Sequence, residues 1–475
     1  MKKTQIALIF ILTITISCSE KIETKNFNFM LSEPSMIVNY EQDNNIEGSY
    51  IVVQEFEYKD SSLFIKIPNH FFLNSVSSEN WLIGWGNNTP LHDAGVENLR
   101  QITKVDSKKG KIYLGKLQRG TGFPKKKDRI VFWNTTPSDF KNYLKKPIIN
   151  PQFWPQFSGK SINFASVIYD QLLRKWVIIV NECDTSKIQI YAAISDNLIN
   201  WKAANGGAPI LSVSDFKNCN WAGFDKTGKI KQAPSASDIV RYKNKWYLFL
   251  DGYSSDGRRH IGIATSETSL LGPYKVSKNP ILSPGLIGSW NEESVFYGKV
   301  KKYKDGFILF YDGRNSKGRE SIGMAISKDL IHWTNSSNNP VLDQHEGWRS
   351  SLNCTEPNYI EIRKDSILLM VAGVKKFKMG AWHHYVTKRM YLDKSGNVGD
   401  AQLGVYLSTN GGKNFKAHKN NPVFVNDYSN KYENEHMGGN FKLIETDTAD
   451  VIIYQAKSSY KGTNYNIMLK TRTKK

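Results

Sequence analysis

The chain has 475 residues, of which 40% are hydrophobic and 12% aromatic, and its 64 Lys and Arg outnumber 44 Asp and Glu to give a formal charge of +20. This apolar content excludes disorder throughout the chain, because enough apolar surface is present to form a core. The excess of positive charge favours an anionic partner, which the charge alone does not identify: nucleic acid, a membrane surface or an acidic polysaccharide.

The N-terminus has the pattern of an export signal. Lys2 and Lys3 precede an apolar stretch at 6–16 that is too short to span a bilayer. The residues that follow resemble the cleavage region of bacterial lipoproteins, in which Cys18 becomes the lipidated first residue. An ordinary cleaved signal is the alternative.

This N-terminus predicts a signal peptide at 1–17 and a linker at 18–35. The expected location is the periplasm or the outer membrane of a Gram-negative bacterium, with the lipid anchor as the only membrane contact. Export argues against nucleic acid as the partner and leaves acidic polysaccharide.

From about residue 160 onward the sequence repeats one pattern of strands. Each copy has an apolar strand, a second strand rich in aromatic residues, a third strand that runs into a Ser turn, and a closing Asn-Pro or Ala-Pro followed by aliphatic residues. The turns begin roughly 60 to 80 residues apart, at Ser195, Ser266, Ser327 and Ser408. Short alternating segments bounded by turn residues are typical of strands, and repeats of about four strands are typical of propeller blades.

A fifth copy begins near His436 and lacks both its outer strand and the closing motif. We expect Arg129–Trp133 and the following Lys146-Pro147-Ile148-Ile149 to supply the missing strand and close the ring, which removes exposed sheet edges. The predicted fold is all-β, a five-bladed β-propeller at 129–475 with an accessory β-rich region at 36–128. Six blades, with 40–145 as the additional one, and a repeated β-sandwich are the alternatives.

Three segments carry a resemblance to a known family. The turn at 327–333 and the segment at 233–242, followed by Trp246-Tyr247-Leu248, resemble those of five-bladed glycoside hydrolases of family 43. Thr355-Glu356-Pro357 is similar to the Glu-Gly-Pro segment of that family's general acid, without the glycine. Families 32, 117 and 130 have similar blades.

The resemblance covers roughly residues 160–475 and implies hydrolysis of glycosidic bonds. One departure concerns the first blade, which supplies the Asp that acts as base in family 43. The corresponding stretch here, 163–169, contains no carboxylate.

Glycosidic hydrolysis normally uses two carboxylates, one protonated to assist the leaving group and one to activate water or attack directly. The first strands of all blades line one axial funnel, so acids at their starts converge. The catalytic candidates are Asp238, Glu293 and Glu356, with Glu292 as the rival of Glu293.

The candidates for substrate binding are basic, aromatic or histidine residues near the predicted blade openings. They are His436, Arg258, Arg314, Trp290, His383 and Trp382, with Trp221 as a further indole suited to sugar stacking. Guanidinium groups bind sulfate or carboxylate in bidentate fashion.

The function predicted from these features is an exported glycoside hydrolase that cleaves an anionic polysaccharide, sulfated or rich in uronic acid, or its oligosaccharides. A polysaccharide lyase that uses His383 or His384 and a non-catalytic glycan-binding lipoprotein are the alternatives. No cofactor is required and no metal-ligand spacing is present, although the fold leaves room for a structural calcium ion on the axis. The sequence does not define an oligomeric state.

Overall fold

The structure is a computed structural model. It describes residues 51–52, 55–59, 62–66, 81–86, 98–106, 111–119, 129–134, 141–142, 144, 146–157, 161–182, 189–224, 234–343, 356–374, 391–392, 398–399, 401–418, 421, 423–424, 432, 436–446, 449–457 and 465–473. The predicted signal peptide, Cys18 and the linker lie outside these residues. Within them, no helix has the length and hydropathy needed to cross a membrane.

Seven strands before residue 135 form one antiparallel sheet in the described part of the chain. They are β1 (Ile51–Val52), β2 (Glu55–Lys59), β3 (Ser62–Lys66), β4 (Trp81–Gly86), β5 (Asn98–Asp106), β6 (Lys111–Arg119) and β7 (Arg129–Asn134), in the order β1-β7-β4-β5-β6-β3-β2 across the sheet. Ile102, Ile112 and Leu114 are buried, as expected for alternating apolar positions on one face.

Strand β7 differs from the role that the sequence suggested for Arg129–Trp133. It pairs with β1 and β4 of the N-terminal sheet and so does not close the repeat region. The physical reason is that alternation of apolar residues identifies a strand without identifying the sheet edge that it joins. The next strand, β8 (Lys141–Asn142), closes the ring instead by pairing with the last strand of the chain.

The rest of the described chain forms five four-stranded antiparallel units, here called units 1 to 5. Unit 1 has β9 (Ile162–Asp170), β10 (Lys175–Glu182), β11 (Ile190–Ser195) and β12 (Trp201–Ala203); unit 2 has β13 (Ser235–Tyr242), β14 (Lys245–Tyr253), β15 (Arg259–Ser266) and β16 (Lys275–Val276); unit 3 has β17 (Ser294–Tyr303), β18 (Gly306–Arg314), β19 (Glu320–Ser327) and β20 (Thr334–Asn335).

Units 4 and 5 complete the series. Unit 4 has β21 (Pro357–Arg363), β22 (Ser366–Val374), β25 (Ala401–Ser408) and β26 (Lys416–Ala417), and the short pair β23 (Tyr391–Leu392) and β24 (Val398–Gly399) lies between its second and third strands; unit 5 has β27 (His436–Glu445), β28 (Ala449–Lys457), β29 (Tyr465–Thr473) and β8. Short 3-10 helices lie at Pro151–Phe153, Asn205–Gly207 and Val213–Phe216.

The units form a closed ring. Their first strands, β9, β13, β17, β21 and β27, contact one another in this order, and β27 contacts β9. An apolar cluster lies between each pair of neighbouring units. Sheets packed face to face around a closed ring define a β-propeller, so the all-β propeller predicted from the sequence is confirmed.

The repeated turn and closing motif have clear structural roles. The hydroxyl oxygen of Ser327 accepts hydrogen bonds from the backbone N–H groups of Asp329 and Leu330, at 3.2 and 3.0 Å. The side chain of Asn339 pairs with both backbone groups of Met324 on the third strand. Aliphatic or aromatic residues of the closing motifs then form bridges with the third strands of units 1 to 4, at Leu211, Leu282, Leu342 and Phe424.

The last unit receives its closing motif from the other end of the chain. Ile149 bridges Ile467 of β29, the position that Leu342 takes against β19 in unit 3. The predicted use of residues 146–149 to complete the last repeat is therefore visible in the structure. The strand that accompanies them is β8, and the two segments together seal the ring.

Every first strand carries an irregularity in its pairing within its second to fifth residues. The residues that interrupt the pairing, here called the bulge layer, are Ala165, Ser237, Tyr297–Gly298, Asn358 and 438–440. Tyr297 and Asn440 have positive φ angles of 50° and 83°. Residues other than glycine seldom adopt such angles, which here mark a sharp local bend of the strand. The bulge layer divides the axis into two ends.

Candidate active site

The ammonium group of Lys299 occupies the axis within the bulge layer. Its Nζ donates to the carbonyl oxygens of Ala165 and Ser237, at 3.0 and 2.5 Å, and to Oδ1 of Asn440, at 3.1 Å. A side chain of unit 3 is therefore hydrogen-bonded to units 1, 2 and 5. Burial lowers the pKa of Lys299, against the opposing effect of the nearby Asp238 and Glu356 carboxylates.

Charged residues collect at the end of the ring where the first strands begin. Asp251 has a fully buried side chain and forms an ion pair with Arg259, and its second oxygen accepts the N–H of Tyr297 at 3.2 Å. Burial raises the pKa of Asp251, and the Arg259 charge opposes that rise. The guanidinium of Arg259 also lies 4.6 Å from the ring centre of Phe296.

A second ion pair lies beside the first. Nε of Arg314 donates to Oε1 of Glu320 at 2.9 Å, and Glu320 is buried. The Arg314 guanidinium lies 5.3 Å from the same Phe296 ring. These two pairs and Glu356 are here called the mouth cluster. Because each arginine is held by a carboxylate, the described part of this cluster has little net charge.

Glu356 differs from the other acids of the mouth cluster because, among the described residues, the two arginines of the cluster form their salt bridges with Asp251 and Glu320 and not with it. Burial raises the pKa of Glu356 to about 7, and the negative charge of Glu320 adds to the effect, while Arg259 and Lys299 act in the opposite direction. Its backbone carbonyl accepts hydrogen bonds from Ala372 N and from the Asn358 side chain, at 3.0 and 2.8 Å. A carboxyl group that is half protonated near neutral pH is suited to general acid catalysis.

Glu293 lies at the same end of the ring, immediately before β17. Its backbone N–H donates to the carbonyl of Arg314 at 2.9 Å, and its carbonyl accepts from the N–H of Arg259 at 3.4 Å. This peptide is therefore fixed between units 2 and 3, and the side chain remains partly exposed. The structure places Glu293 and Glu356 at the starts of neighbouring first strands.

Glu292, the alternative to Glu293, is held in place by hydrogen bonds from two loops. The carboxylate of Glu292 accepts the N–H groups of Gly288 and Ser316, at 2.6 and 2.9 Å, and the hydroxyl of Ser316. These hydrogen bonds, that from Gly288 first, lower the pKa of Glu292 to about 2. Glu292 joins two loops and stays ionised, so it is less suited than Glu293 or Glu356 to carry a proton.

Asp238 lies away from the mouth cluster. It follows the bulge residue Ser237, and its two oxygens accept the N–H groups of Ile239 and Val300, each at 2.9 Å. It faces a small space on the other side of the bulge layer, together with Lys301 and Lys442. The structure therefore does not bring Asp238 together with Glu356.

Two of the proposed indole contacts are packing residues. Trp221 is fully buried, and its ring covers Gly262 so closely that no Cβ would fit there. It therefore cannot stack on a sugar, which corrects the expectation. Trp290 lies 5.8 Å from Tyr311 between ring centres and covers Gly313 and Gly323, although it is partly exposed.

The remaining candidates for substrate binding are either exposed or outside the described residues. Arg258 is exposed and forms an ion pair with Asp256 at 2.9 Å. His436 is the first residue of β27, but its side chain is outside the described part, and His383 and Trp382 lie wholly outside it. Their predicted roles in substrate binding remain predictions.

Sequence reasoning did not identify Asp251 and Glu320 as the ion-pair partners of Arg259 and Arg314. They lie on a second and a third strand, where Asp251 is opposite Ser235 of β13 and Glu320 is opposite Arg314 of β18, and these pairings exist only in the folded chain. One available signal was the charge of Asp251 and Arg259 at the edges of otherwise apolar strands.

The oxygen atoms of the bulge layer are the groups on the axis that a structural calcium ion would need. Carbonyl and amide oxygens of the bulge layer are of the type that calcium binds. Those of Ala165, Ser237 and Asn440 already surround the Lys299 ammonium, so a calcium ion does not fit among them. Among the described residues, no group of three or more His, Cys, Asp or Glu side chains could hold a metal ion.

No protein-family model and no curated protein matches the sequence. The chain is similar to a solved structure described as a glycoside hydrolase, with 16% identity over 70% of this chain and 92% of the other and a TM-score of 0.50. A structure described as a complex with RGII has 17% identity, covers 70% of this chain and 92% of its own, and has a TM-score of 0.49. A thermostable family-43 glycoside hydrolase has 14% identity, covers 69% and 96%, and has a TM-score of 0.47.

These likenesses concern the fold. The first of them supports a β-propeller of the kind found in glycoside hydrolases, which agrees with the ring of four-stranded units described above. The chemistry of the site depends on its own residues.

Proposed function

We propose that the protein is a glycoside hydrolase with Glu356 as its general acid. The observation that supports this is the pKa of about 7 for Glu356, which burial and Glu320 raise at the end of the ring where all first strands begin. A carboxyl group with this pKa holds a proton at neutral pH and can release it to a departing sugar oxygen.

Glu293 is the proposed second carboxylate. It begins the first strand next to that of Glu356, its backbone is fixed by Arg259 and Arg314, and its side chain is partly exposed. A carboxylate in this position would activate water or attack the sugar carbon, while Glu356 protonates the leaving group. This proposal replaces Asp238, whose oxygens are already hydrogen-bonded to the backbone.

The proposed substrate is an anionic polysaccharide or its oligosaccharides. The two described arginines of the mouth cluster are paired with carboxylates, so they do not support this point. Support comes from the sequence at 375–390, which contains five Lys and Arg and no acidic residues. In the chain it follows β22, whose Ala372 is hydrogen-bonded to the backbone of Glu356. Such a segment favours sulfate or carboxylate groups on the substrate.

Product analysis on a panel of sulfated and uronic polysaccharides tests this function. We expect new reducing ends without the ultraviolet absorbance of a conjugated double bond, because hydrolysis adds water whereas elimination leaves an unsaturated sugar. Products that absorb would favour a lyase, for which His383 and His384 in the same segment are the candidates. Binding without any product would instead identify a glycan-binding protein.

We also propose that the protein is exported and lipidated at Cys18, with residues 1–17 removed. The support is the sequence pattern alone: Lys2 and Lys3, the apolar stretch and the position of the cysteine. In a Gram-negative host, labelled palmitate should enter the wild-type chain and not the Cys18→Ala variant. Label in both chains would contradict lipidation at this residue.

A further inference from the structure

A second space lies on the axis, on the opposite side of the bulge layer from the mouth cluster. This rear cavity has a volume of about 30 Å³, and all five first strands contribute to its lining. Its lining includes residues that follow the bulges, among them Ser166, Asp238, Lys301 and Lys442. A volume of this size holds a single small ion or about one water molecule and is too small for a sugar.

The charges around the rear cavity do not balance. Its titratable groups are Asp238 from β13, Lys299 and Lys301 from β17, Tyr359 from β21 and Lys442 from β27. The hydroxyl of Tyr359 donates to Glu361 at 3.0 Å. Three ammonium groups therefore face one carboxylate.

The single carboxylate is already engaged, and so is one of the ammonium groups. Each oxygen of Asp238 accepts a backbone N–H, and the Lys299 ammonium is bound to three oxygens of the bulge layer. Among the described residues, neither Lys301 nor Lys442 has a hydrogen-bond acceptor or a carboxylate within ion-pair distance, and Asp238 acts on Lys442 only through its charge. Two partly exposed ammonium groups thus share a small space in which Asp238 is the one carboxylate of the described lining.

The protonation of Lys442 reflects this crowding. Burial lowers the pKa of Lys442 to about 7, and the charges of Lys301 and Lys299 contribute, against the opposing effect of Asp238. An anion in the cavity would reverse this balance, because it stabilises the charged form of both lysines.

We propose that the rear cavity binds one small inorganic anion of halide size between the ammonium groups of Lys301 and Lys442. The anion would supply the missing acceptor for both lysines and join unit 3 to unit 5 below the bulge layer. This site is independent of the proposed hydrolytic activity.

Melting temperatures of the full chain in sodium chloride and in sodium gluconate of equal ionic strength test the proposal. Near pH 6 we expect chloride to raise the melting temperature in a saturable way by about 2 °C or more, because binding to the folded state alone stabilises it. Near pH 8.5 the increase should shrink, since Lys442 is then mostly neutral. The Lys442→Met variant should lose the chloride effect, whereas Lys328→Met, at an exposed lysine, should keep it.

Crystallography of the wild-type chain tests the anion site even if the Lys442→Met variant does not fold. Crystals of the wild-type chain grown with bromide should show an anomalous peak between Lys301 and Lys442. Equal melting in the two salts, a chloride effect that persists in Lys442→Met, or bromide found only elsewhere would each overturn the proposal.

Discussion

The Glu356→Gln variant should lose roughly 10²- to 10⁴-fold of kcat/KM on the polysaccharide that the wild-type chain cleaves, because an amide cannot donate the proton that a general acid supplies. Glutamine has nearly the same size, and the backbone of Glu356 keeps its hydrogen bonds to Ala372 and Asn358. The fold should therefore be preserved. Steady-state kinetics on purified variants, with circular dichroism as a check on folding, measure the effect.

The pH dependence of the wild-type enzyme is part of the same expectation. A general acid must be protonated, so activity should decline as the pH rises through the Glu356 pKa of about 7. Glutamine at this position removes that titration, and the residual activity should no longer show the alkaline decline. A substrate with a leaving group that needs no protonation should be cleaved with a smaller loss.

Two further variants make the assignment specific. Glu293→Gln should also lose turnover, but its effect should persist with a substrate whose leaving group departs unaided, because the second carboxylate acts on water or on the sugar carbon. Glu267→Gln removes an exposed carboxylate that pairs with Lys245 at the end of unit 2 opposite the mouth cluster and should leave kcat/KM unchanged. Full activity in Glu356→Gln would refute its role as the acid.

Removal of the axial ammonium should have the largest effect on stability. We expect the Lys299→Met variant to lose about 3 kcal/mol of unfolding free energy, because two buried acceptors from units 1 and 2 and one part-buried acceptor from unit 5 lose their donor while remaining in place. Methionine fills a similar volume, so the loss reports the hydrogen bonds and not a cavity. Urea unfolding followed by tryptophan fluorescence measures it.

Lys299 also lowers the pKa of Glu356, and its loss should therefore have a second consequence. Without the positive charge the ionised carboxylate is less favoured, the pKa of Glu356 rises, and the alkaline decline of activity moves to higher pH. The control is Lys328→Met, at a side chain that is 85% exposed, which should change stability by less than about 0.5 kcal/mol. An unchanged pH profile together with wild-type stability would show that the axial position is not important.

Local sequence signals predicted the repeats because each has a local physical cause. A serine hydroxyl that accepts the next backbone N–H groups makes the same turn wherever it occurs, as at Ser327. The Asn-Pro motif likewise places Asn339 against the third strand. Glu356 was found through its neighbouring Pro357 and its resemblance to a known segment.

The remaining features depend on contacts between distant residues. Nothing local to Lys299 shows that its ammonium meets Ala165 and Asn440, more than 130 residues away in either direction. The bulges that aim these groups at the axis change the register by one or a few residues, and a strand pattern does not reveal such a shift. For the same reason Asp238, which matched the family spacing, lies on the other side of the bulge layer.

The ring closes at the junction of units 5 and 1, here called the seam, where β8 joins β29. This junction has a consequence for the order in which the chain folds. Asn142 of β8 pairs with Lys470 of β29, roughly 330 residues later, so the outer strand of unit 5 is made before unit 1 and has no partner until β29 has been synthesised. Unit 1 likewise lacks the neighbour that packs against Phe164 and Val167. A chain truncated before residue 465 would thus leave both edges of the seam open, and the full set of interfaces between the five units can form only after β29 is available.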